Sequence, residues 1–257
     1  MDNNKIRGIF LTSTASLWWG IIGVIYFKFI SFANPVEIIV HRTIWTALLL
    51  FLLIALKRKI FDLIRVLKNK RNFYLLTVTG LLVMTNWLTW VYSLKVDKLL
   101  DASLGYYIYP IISVFFGVIF LKEKINMNKK ISILLVFFSL LWLLVKYGNI
   151  PWIGIIVALT FSLYGLIRKK INVKSEIGLL SETIIITPIA LIAFYYLYLN
   201  NLSVFSISKP IESFYLFWAG LVTLVPLYLY TRGFEIVGIG PASMIFFLTP
   251  TSQFFLS

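Results

Sequence analysis

Nine apolar runs, most of them near 20 residues long, dominate this chain. A helix needs about 20 mostly apolar residues to cross the hydrocarbon core of a bilayer. Inside that core every backbone polar group must be satisfied within the protein, and an α-helix does this by itself. The sequence therefore predicts an all-α polytopic membrane protein. The runs cover roughly residues 8–30, 36–56, 73–94, 102–121, 131–147, 151–167, 177–199, 213–231 and 240–257.

The composition supports this class and excludes several others. The chain of 257 residues is 60% hydrophobic and 13% charged, whereas a soluble domain is nearer half apolar and a quarter charged. It has no Cys and a single His, which excludes disulfides, thiolate metal sites and multi-histidine sites within one chain. The sequence contains no phosphate loop and no esterase or metalloprotease motif. We expect no enzyme activity, no cofactor and no resident metal.

The basic residues stand in short clusters between the apolar runs and give a formal charge of +14. With a cytoplasmic amino terminus, 18 Lys and Arg residues fall in cytoplasmic segments, five in external segments and Arg42 within a run. Such an excess on one side is typical of cytoplasmic loops and argues against a nucleic-acid partner. The segment Lys57–Arg71 mixes charged and apolar side chains, which predicts an amphipathic helix against the lipids of the cytoplasmic leaflet.

An internal repeat connects the two halves of the chain. Matched positions recur at an offset of 140 or 145 residues: LDASLGYYIYP at 100–110 with GPASMIFFLTP at 240–250, Gly80 with Gly220, Trp19 with Tyr164, and Glu37 with Glu182. A repeat at this distance indicates one structural unit used twice. Runs one to four therefore correspond to runs six to nine.

A repeating unit of five helices crosses the membrane an odd number of times, so its second copy is inverted. We predict two inverted-topology repeats, residues 1–147 and 151–257, which is a transporter architecture. The partner of run five, a tenth helix, is missing, and Ser257 falls inside an apolar run. We therefore expect this sequence to be truncated at its carboxy terminus by about one helix.

Arg42 is the strongest candidate for a functional residue. It lies seven residues into run two, about 10 Å along a helix axis. An arginine at such a depth is costly and usually faces a cavity or a partner. One interpretation is a clamp for an anionic group in a transport path, and the other is a snorkelling or structurally paired side chain.

Three titratable residues are further candidates. Asn34-Pro35 followed by Glu37 is typical of a capping box, although Glu37 also shares a helix face with His41. His41 could carry protons or be a hydrogen-bonded structural histidine. Glu182 lies inside run seven, where a carboxyl group could couple transport to protons or pair with the arginine of run two.

Runs three, four and nine carry the other candidates. Asn86, Trp90 and Tyr106 form a polar and aromatic set, although many rings at such positions belong to interfacial belts. An amide in mid-span needs an interhelical partner. Pro110 and Pro250 occupy the same position in the repeat, and we expect them to interrupt their helices near a binding site. These five residues and the arginine of run two are the candidate substrate-binding residues.

Several stretches of the chain resemble a known family. They are HRTIW (41–45), NW (86–87), DASLGYYIYP (101–110), GNIPW (148–152), FSLYGLIRKK (161–170) and GLLSETIIITP (178–188). Over nearly the whole chain, they resemble the RarD-type transporters of the EamA family, in the drug/metabolite transporter superfamily. The resemblance implies ten helices in two inverted five-helix repeats, secondary transport, and a bacterial inner membrane. It supplies no binding residues.

These observations favour a secondary transporter that moves a small metabolite or drug-like molecule across the inner membrane by alternating access. Arg42 would orient an anionic group, and Glu182 and His41 would handle protons. A membrane-embedded enzyme would need acids and histidines clustered at one face, and a scaffold or sensor would need an appended soluble domain. A passive channel would usually be assembled from symmetric subunits, and a homodimer is a possible assembly.

Overall fold

The computed structural model describes residues 3–123, 127–171 and 173–255, and every regular element in these ranges is a helix. Helix α1 (Asn3–Trp18) continues through a π-helical turn at Trp19–Gly23 into α2 (Val24–Phe29). The other helices are α3 (Pro35–Leu56), α4 (Ile60–Lys68), α5 (Lys70–Lys95), α6 (Leu99–Leu121), α7 (Met127–Tyr147), α8 (Trp152–Ile171), α9 (Ser175–Leu199), α10 (Pro210–Val237), α11 (Ile239–Ile245) and α12 (Leu248–Phe254).

Seven helices within the described ranges are long and apolar enough to cross a membrane. They are α1 together with α2, and then α3, α5, α6, α8, α9 and α10. Each coincides with one of the apolar runs, which confirms the prediction of an all-α polytopic membrane protein. The fifth run coincides with α7, a helix of 21 residues. The ninth run differs from the prediction because it forms two short helices, α11 and α12.

The two candidate prolines do not interrupt their helices. Pro110 is buried in the middle of α6, which continues to Leu121, because neighbouring packed helices can accommodate the lost backbone hydrogen bond. Pro250 is the third residue of α12, where a helix has no internal acceptor for the backbone N–H that proline lacks. The break in the ninth run falls earlier, at Phe246 and Phe247.

Contacts between connections define two ends of the bundle. The first face carries the α3–α5 connection and the start of α9, which are joined by an ion pair of 2.9 Å between Lys59 Nζ and Glu176 Oε1. This hydrogen bond raises the pKa of Lys59. The second face carries the start of α3 and the α9–α10 connection, which are joined where the Glu37 carboxylate accepts a hydrogen bond of 2.9 Å from the Val204 N–H.

Small residues allow the long helices to pack closely. A Cβ atom built at Gly105 of α6 would overlap the backbone of Gly154 in α8, and one built at Gly220 of α10 would overlap Trp45 of α3. Such contacts through small residues are the usual way in which membrane helices associate. They bring α6 against α8 and α10 against α3.

The amphipathic helix expected within Lys57–Arg71 is present as α4. The helix contacts α9, and its Leu63 is buried, whereas Phe61 is 82% exposed. Arg65 forms an exposed pair with Asp62 at 3.8 Å. The helix therefore has one apolar side chain anchored in the bundle and another that extends away from it.

Candidate functional site

A narrow cavity with a volume of about 30 Å³ lies between the helices in the half of the bundle near the second face. It brings together four of the six candidate substrate-binding residues, from three different helices: Arg42 of α3, Asn86 and Trp90 of α5, and Tyr106 of α6. The other walls include Phe27, Trp87, Phe161, Phe246 and Gln253. Pro110 and Pro250 do not line it.

The Arg42 side chain is enclosed within the bundle and does not extend to a membrane surface. It is 3% exposed, and its guanidinium carbon lies 4.5 Å from the ring centres of both Phe27 and Trp87. Its Nε donates a hydrogen bond of 2.9 Å to the Thr223 hydroxyl. No carboxylate of the described residues forms a salt bridge with it. Two aromatic faces thus hold a buried cation that has no anionic partner in the described part of the chain.

Two further lining residues contain buried hydrogen-bond donors. Trp90 Nε1 and Gln253 Nε2 have no acceptor among the described residues. The oxygen of the same Gln253 amide is occupied, because Ser103 donates to Oε1 at 3.2 Å. A buried donor without a partner is costly in a native protein. Together with the nearby guanidinium, these groups form a cavity wall that is rich in donors.

Asn86 connects two helices at the cavity wall. Its Nδ2 donates to the Val157 carbonyl at 2.9 Å and to the Thr160 hydroxyl at 3.1 Å. The amide therefore has the interhelical partners that its position in mid-span requires. It ties α5 to α8 and also lines the cavity.

Aromatic side chains close the cavity towards the first face. The rings of Trp19 and Phe246 lie 5.7 Å apart, and those of Tyr230 and Phe246 lie 5.4 Å apart. Beneath them, the Tyr109 and Tyr230 hydroxyls lie 2.7 Å apart, and Ser243 donates to Tyr109 at 3.2 Å. This group of packed rings and hydroxyls forms the floor of the cavity.

His41 and Glu37 lie outside the cavity. Trp45 Nε1 donates to His41 Nδ1 at 3.1 Å, and the His41 ring packs against Phe205. Asn34 caps α3 as predicted, since its side chain accepts from the Val36 N–H. The second half of the predicted capping box is not formed, because the Glu37 carboxylate binds the α9–α10 connection instead.

Glu182 lies in the other half of the bundle and pairs with Arg168, so the alternative pairing with Arg42 is wrong. Arg168 Nε lies 3.4 Å from Glu182 Oε1, and the Thr79 hydroxyl donates to the same oxygen at 2.6 Å. The sequence does not single out Arg168, because this residue stands beside Lys169 and Lys170 and resembles a charged residue of a loop. The structure places it in α8, where it is 4% exposed.

Helices that span a membrane and enclose a buried, donor-rich cavity define a polytopic membrane protein with an internal cavity. The model of the EamA-like transporter family matches residues 6–145. The chain belongs to this family. The family assignment and the agreement of the apolar runs with the helices confirm the resemblance found in the sequence.

Individual relatives agree with this assignment. An "Uncharacterized transporter" of Vibrio cholerae is 35% identical over 98% of this chain and 83% of its own length. The protein RarD of Escherichia coli is 30% identical over 100% of this chain and 87% of its own length. The "Uncharacterized transporter YojE" of Bacillus subtilis is 30% identical over 95% of this chain and 82% of its own length.

Proposed function

We propose that this protein is a secondary transporter that moves small organic anions with a flat, apolar body across the bacterial inner membrane by alternating access. The observation that carries the proposal is the Arg42 guanidinium, which is buried at the cavity wall without a carboxylate partner among the described residues. A buried charge needs a counter-charge to offset its desolvation. The substrate's anionic group supplies it.

The hydrogen-bonding groups of the cavity favour the same substrate class. Arg42, Trp90 Nε1 and Gln253 Nε2 are donors, and the last two have no acceptor among the described residues. A carboxylate or sulfonate offers several acceptor positions and can satisfy more than one of them. A cationic ligand would leave these donors unpaired and would also be repelled by the guanidinium.

The aromatic walls favour a flat, apolar body on the substrate. Phe27, Trp87 and Phe246 present ring surfaces to the cavity, and Tyr106 packs edge-on against Phe246 at 5.4 Å. The cavity that these rings line has a volume of only about 30 Å³, enough for about two water molecules. Binding of a drug-sized molecule therefore requires the rings to separate, whereas a single aromatic ring requires a smaller adjustment.

The packing of the helices supports an inverted pair of repeats, residues 1–147 and 151–257. If the first four spans correspond to spans six to nine, α1 corresponds to α8 and α10 corresponds to α5. The repeat then relates the contact of α1 with α10 to the contact of α8 with α5, and both contacts are present. The contact of α3 with α9 maps onto itself and is also present. Two related halves that surround one site are the basis of alternating access.

Orientation and proton coupling are further parts of the proposal. The excess of Lys and Arg on the first face favours a cytoplasmic amino terminus. Glu182 and His41 are both buried titratable groups, 1% and 3% exposed, and we propose them as the residues that couple transport to protons. Neither lines the cavity, so they would act through conformational change.

Transport into liposomes tests the proposal. Benzenesulfonate stays ionised at any relevant pH and cannot leak across the bilayer as a neutral acid, and benzenesulfonamide is its neutral analogue. We expect saturable uptake of the sulfonate but not of the sulfonamide or of benzyltrimethylammonium. Repeating the assay with a pH gradient of either sign tests the coupling to protons.

Variants connect the uptake to the cavity. Arg42→Gln should abolish uptake of benzenesulfonate, and Arg42→Lys should retain part of it because the charge remains. Arg71→Gln removes an exposed arginine and should leave uptake unchanged. Equal uptake of the anion and the neutral amide, or normal uptake by Arg42→Gln, would show that the cavity is not an anion site. A scaffold or sensor would show no uptake at all.

A further inference from the structure

A buried charged cluster lies in the half of the bundle that the cavity does not reach. Arg168 Nε lies 3.4 Å from Glu182 Oε1. Tyr164 donates to the other carboxylate oxygen at 3.4 Å, and Thr79 donates to the first at 2.6 Å. The other carboxylate that acts on Arg168 is Glu235 of α10. Its hydrogen bonds and ion pair join α5, α8 and α9 close to the first face.

The repeat relates this cluster to the cavity. Extended to further positions at the same offsets, it matches residues that line the cavity with residues packed in the other half: Trp19 with Tyr164, Gly23 with Arg168, and Trp90 with Tyr230. All three counterparts are 4% exposed or less, and none of them lines the cavity. At these positions one half of the bundle therefore surrounds a cavity, and the equivalent positions of the other half are closely packed.

We propose that Arg168 is a second anion-binding residue, which lines the cavity of the alternate conformation, and that the Glu182 carboxylate occupies its site while this half of the bundle is closed. This inference rests on the proposed function. An anion that enters from the first face replaces Glu182 as the counter-charge of Arg168. The same arginine thus serves closure in one state and binding in the other.

The environment of Arg168 leaves it capacity to bind a ligand. Its Nε and Nη1 have no hydrogen-bond acceptor among the described residues, although the side chain is 2% exposed. A Cβ atom built at Gly178 would overlap Arg168 Nη1. The guanidinium thus lies directly against the backbone of α9, in space that only glycine provides. A guanidinium with spare donors can accept the planar, two-oxygen edge of a carboxylate or sulfonate.

Displacement of Glu182 depends on its protonation. A carboxylate that loses its cation in a buried site is strongly destabilised, so the displaced form is the neutral acid. Protonation of Glu182 from water at the first face therefore opens this half and exposes Arg168 to a ligand. Glu182 loses the proton again when the pair re-forms, so this step makes transport sensitive to the pH at the first face.

Single cysteines report the opening of each half, because the natural chain has no Cys. Gly23→Cys places a thiol at the cavity, where a new Cβ meets its nearest neighbour at 3.6 Å. Ser243→Cys places one in the closed half. In nanodiscs, where both faces are accessible, a charged maleimide should label position 23 and spare position 243. Adding Glu182→Gln should speed labelling at position 243 by at least about fivefold, whereas Asp62→Asn should change neither rate.

Binding of benzenesulfonate tests the second site separately. Arg42→Gln alone should not bind it. Arg42→Gln with Glu182→Gln should bind it, and Arg168→Gln should abolish this binding. Thr79→Val, which keeps the charges and removes one donor to Glu182, should speed labelling at position 243 in the same direction, to a smaller extent. The proposal is overturned if Glu182→Gln leaves that labelling unchanged, or if the double variant does not bind.

The two proposals fail in different ways. Loss of the anion preference at Arg42, with labelling and binding at Arg168 as expected, overturns the proposed substrate class of the open cavity alone. Arg42-dependent uptake without a change in labelling overturns the role of Glu182 alone.

Discussion

The hydroxyl groups of Tyr109 and Tyr230 lie 2.7 Å apart beneath the cavity and join α6 to α10. Ser243 of α11 donates to the same Tyr109 oxygen, so one buried group of hydroxyls holds three helices together. These contacts separate the cavity from the first face. Any conformation that opens the other half of the bundle has to break them.

Removal of one hydroxyl tests the strength of this contact. Tyr230→Phe keeps the ring and its packing but removes a buried hydrogen bond, so the free energy of unfolding should fall by about 1 kcal/mol. Thermal unfolding in detergent measures the change. Tyr107→Phe is the matched control, since its ring packs against Phe247. If Tyr230→Phe does not change the midpoint temperature of unfolding, the two hydroxyls do not stabilise this conformation.

Thr223 positions the cationic group of the cavity. Thr223→Val removes the acceptor for Arg42 Nε, while the two aromatic rings still hold the guanidinium. We expect the KM for benzenesulfonate to rise by about tenfold or more, the lower end of the range for a hydrogen bond to a charged group, with kcat little changed. Thr231→Val on the same helix is the control, because the Thr231 hydroxyl donates a hydrogen bond to the Leu227 carbonyl within α10. Equal KM values for the two variants would contradict the role of Thr223.

Gly178 leaves room for a buried guanidinium. In Gly178→Ala the new methyl group would overlap Arg168 Nη1, which should separate the arginine from Glu182 and cost a few kcal/mol of stability, the usual effect of breaking a buried pair. Thermal unfolding measures this cost, and Gly23→Ala, where a Cβ has ordinary contacts, is the control. In a background of Arg168→Gln with Glu182→Gln the same alanine should cost much less. An equal cost in both backgrounds would mean that the clash is not with Arg168.

The sequence predicts most of the helices because each apolar run has to be long enough to cross a bilayer. It also places Arg42, Asn86, Trp90 and Tyr106 among the candidates, since polar or aromatic side chains in mid-span need a reason to be there. The structure brings these four residues to one cavity. Their common location follows from helix packing, which no single run determines.

Other features depend on which helices meet. The pairing of Arg168 with Glu182 is hidden because Arg168 precedes two lysines and resembles the basic end of a helix. Gln253 lies near the end of the ninth run, and the residues around it form no motif that predicts a role. Pro250 looks like a helix breaker, but its effect depends on its position in the first turn of α12. These properties are set by tertiary contacts, not by local sequence.

Glu37 joins the start of α3 to the α9–α10 connection at the second face. Its carboxylate is fully buried, and Oε1 accepts from the Ser203 hydroxyl at 2.6 Å and from the N–H groups of Val204 and Phe205 at 2.9 and 3.0 Å. Glu37→Gln replaces one of its two acceptor oxygens with a donor and removes the charge. We expect a loss of about 2 kcal/mol, the range for hydrogen bonds to charged groups.

Thermal unfolding measures the loss, and limited proteolysis of the segment 200–209 reports whether the α9–α10 connection has been released. Glu212→Gln, a half-exposed carboxylate at the start of α10, is the control and should change neither result. Proteolysis should become faster in Glu37→Gln because the connection loses the group that anchors it to α3. If the midpoint temperature of unfolding is unchanged and the segment 200–209 is cut no faster, backbone packing alone holds this face closed.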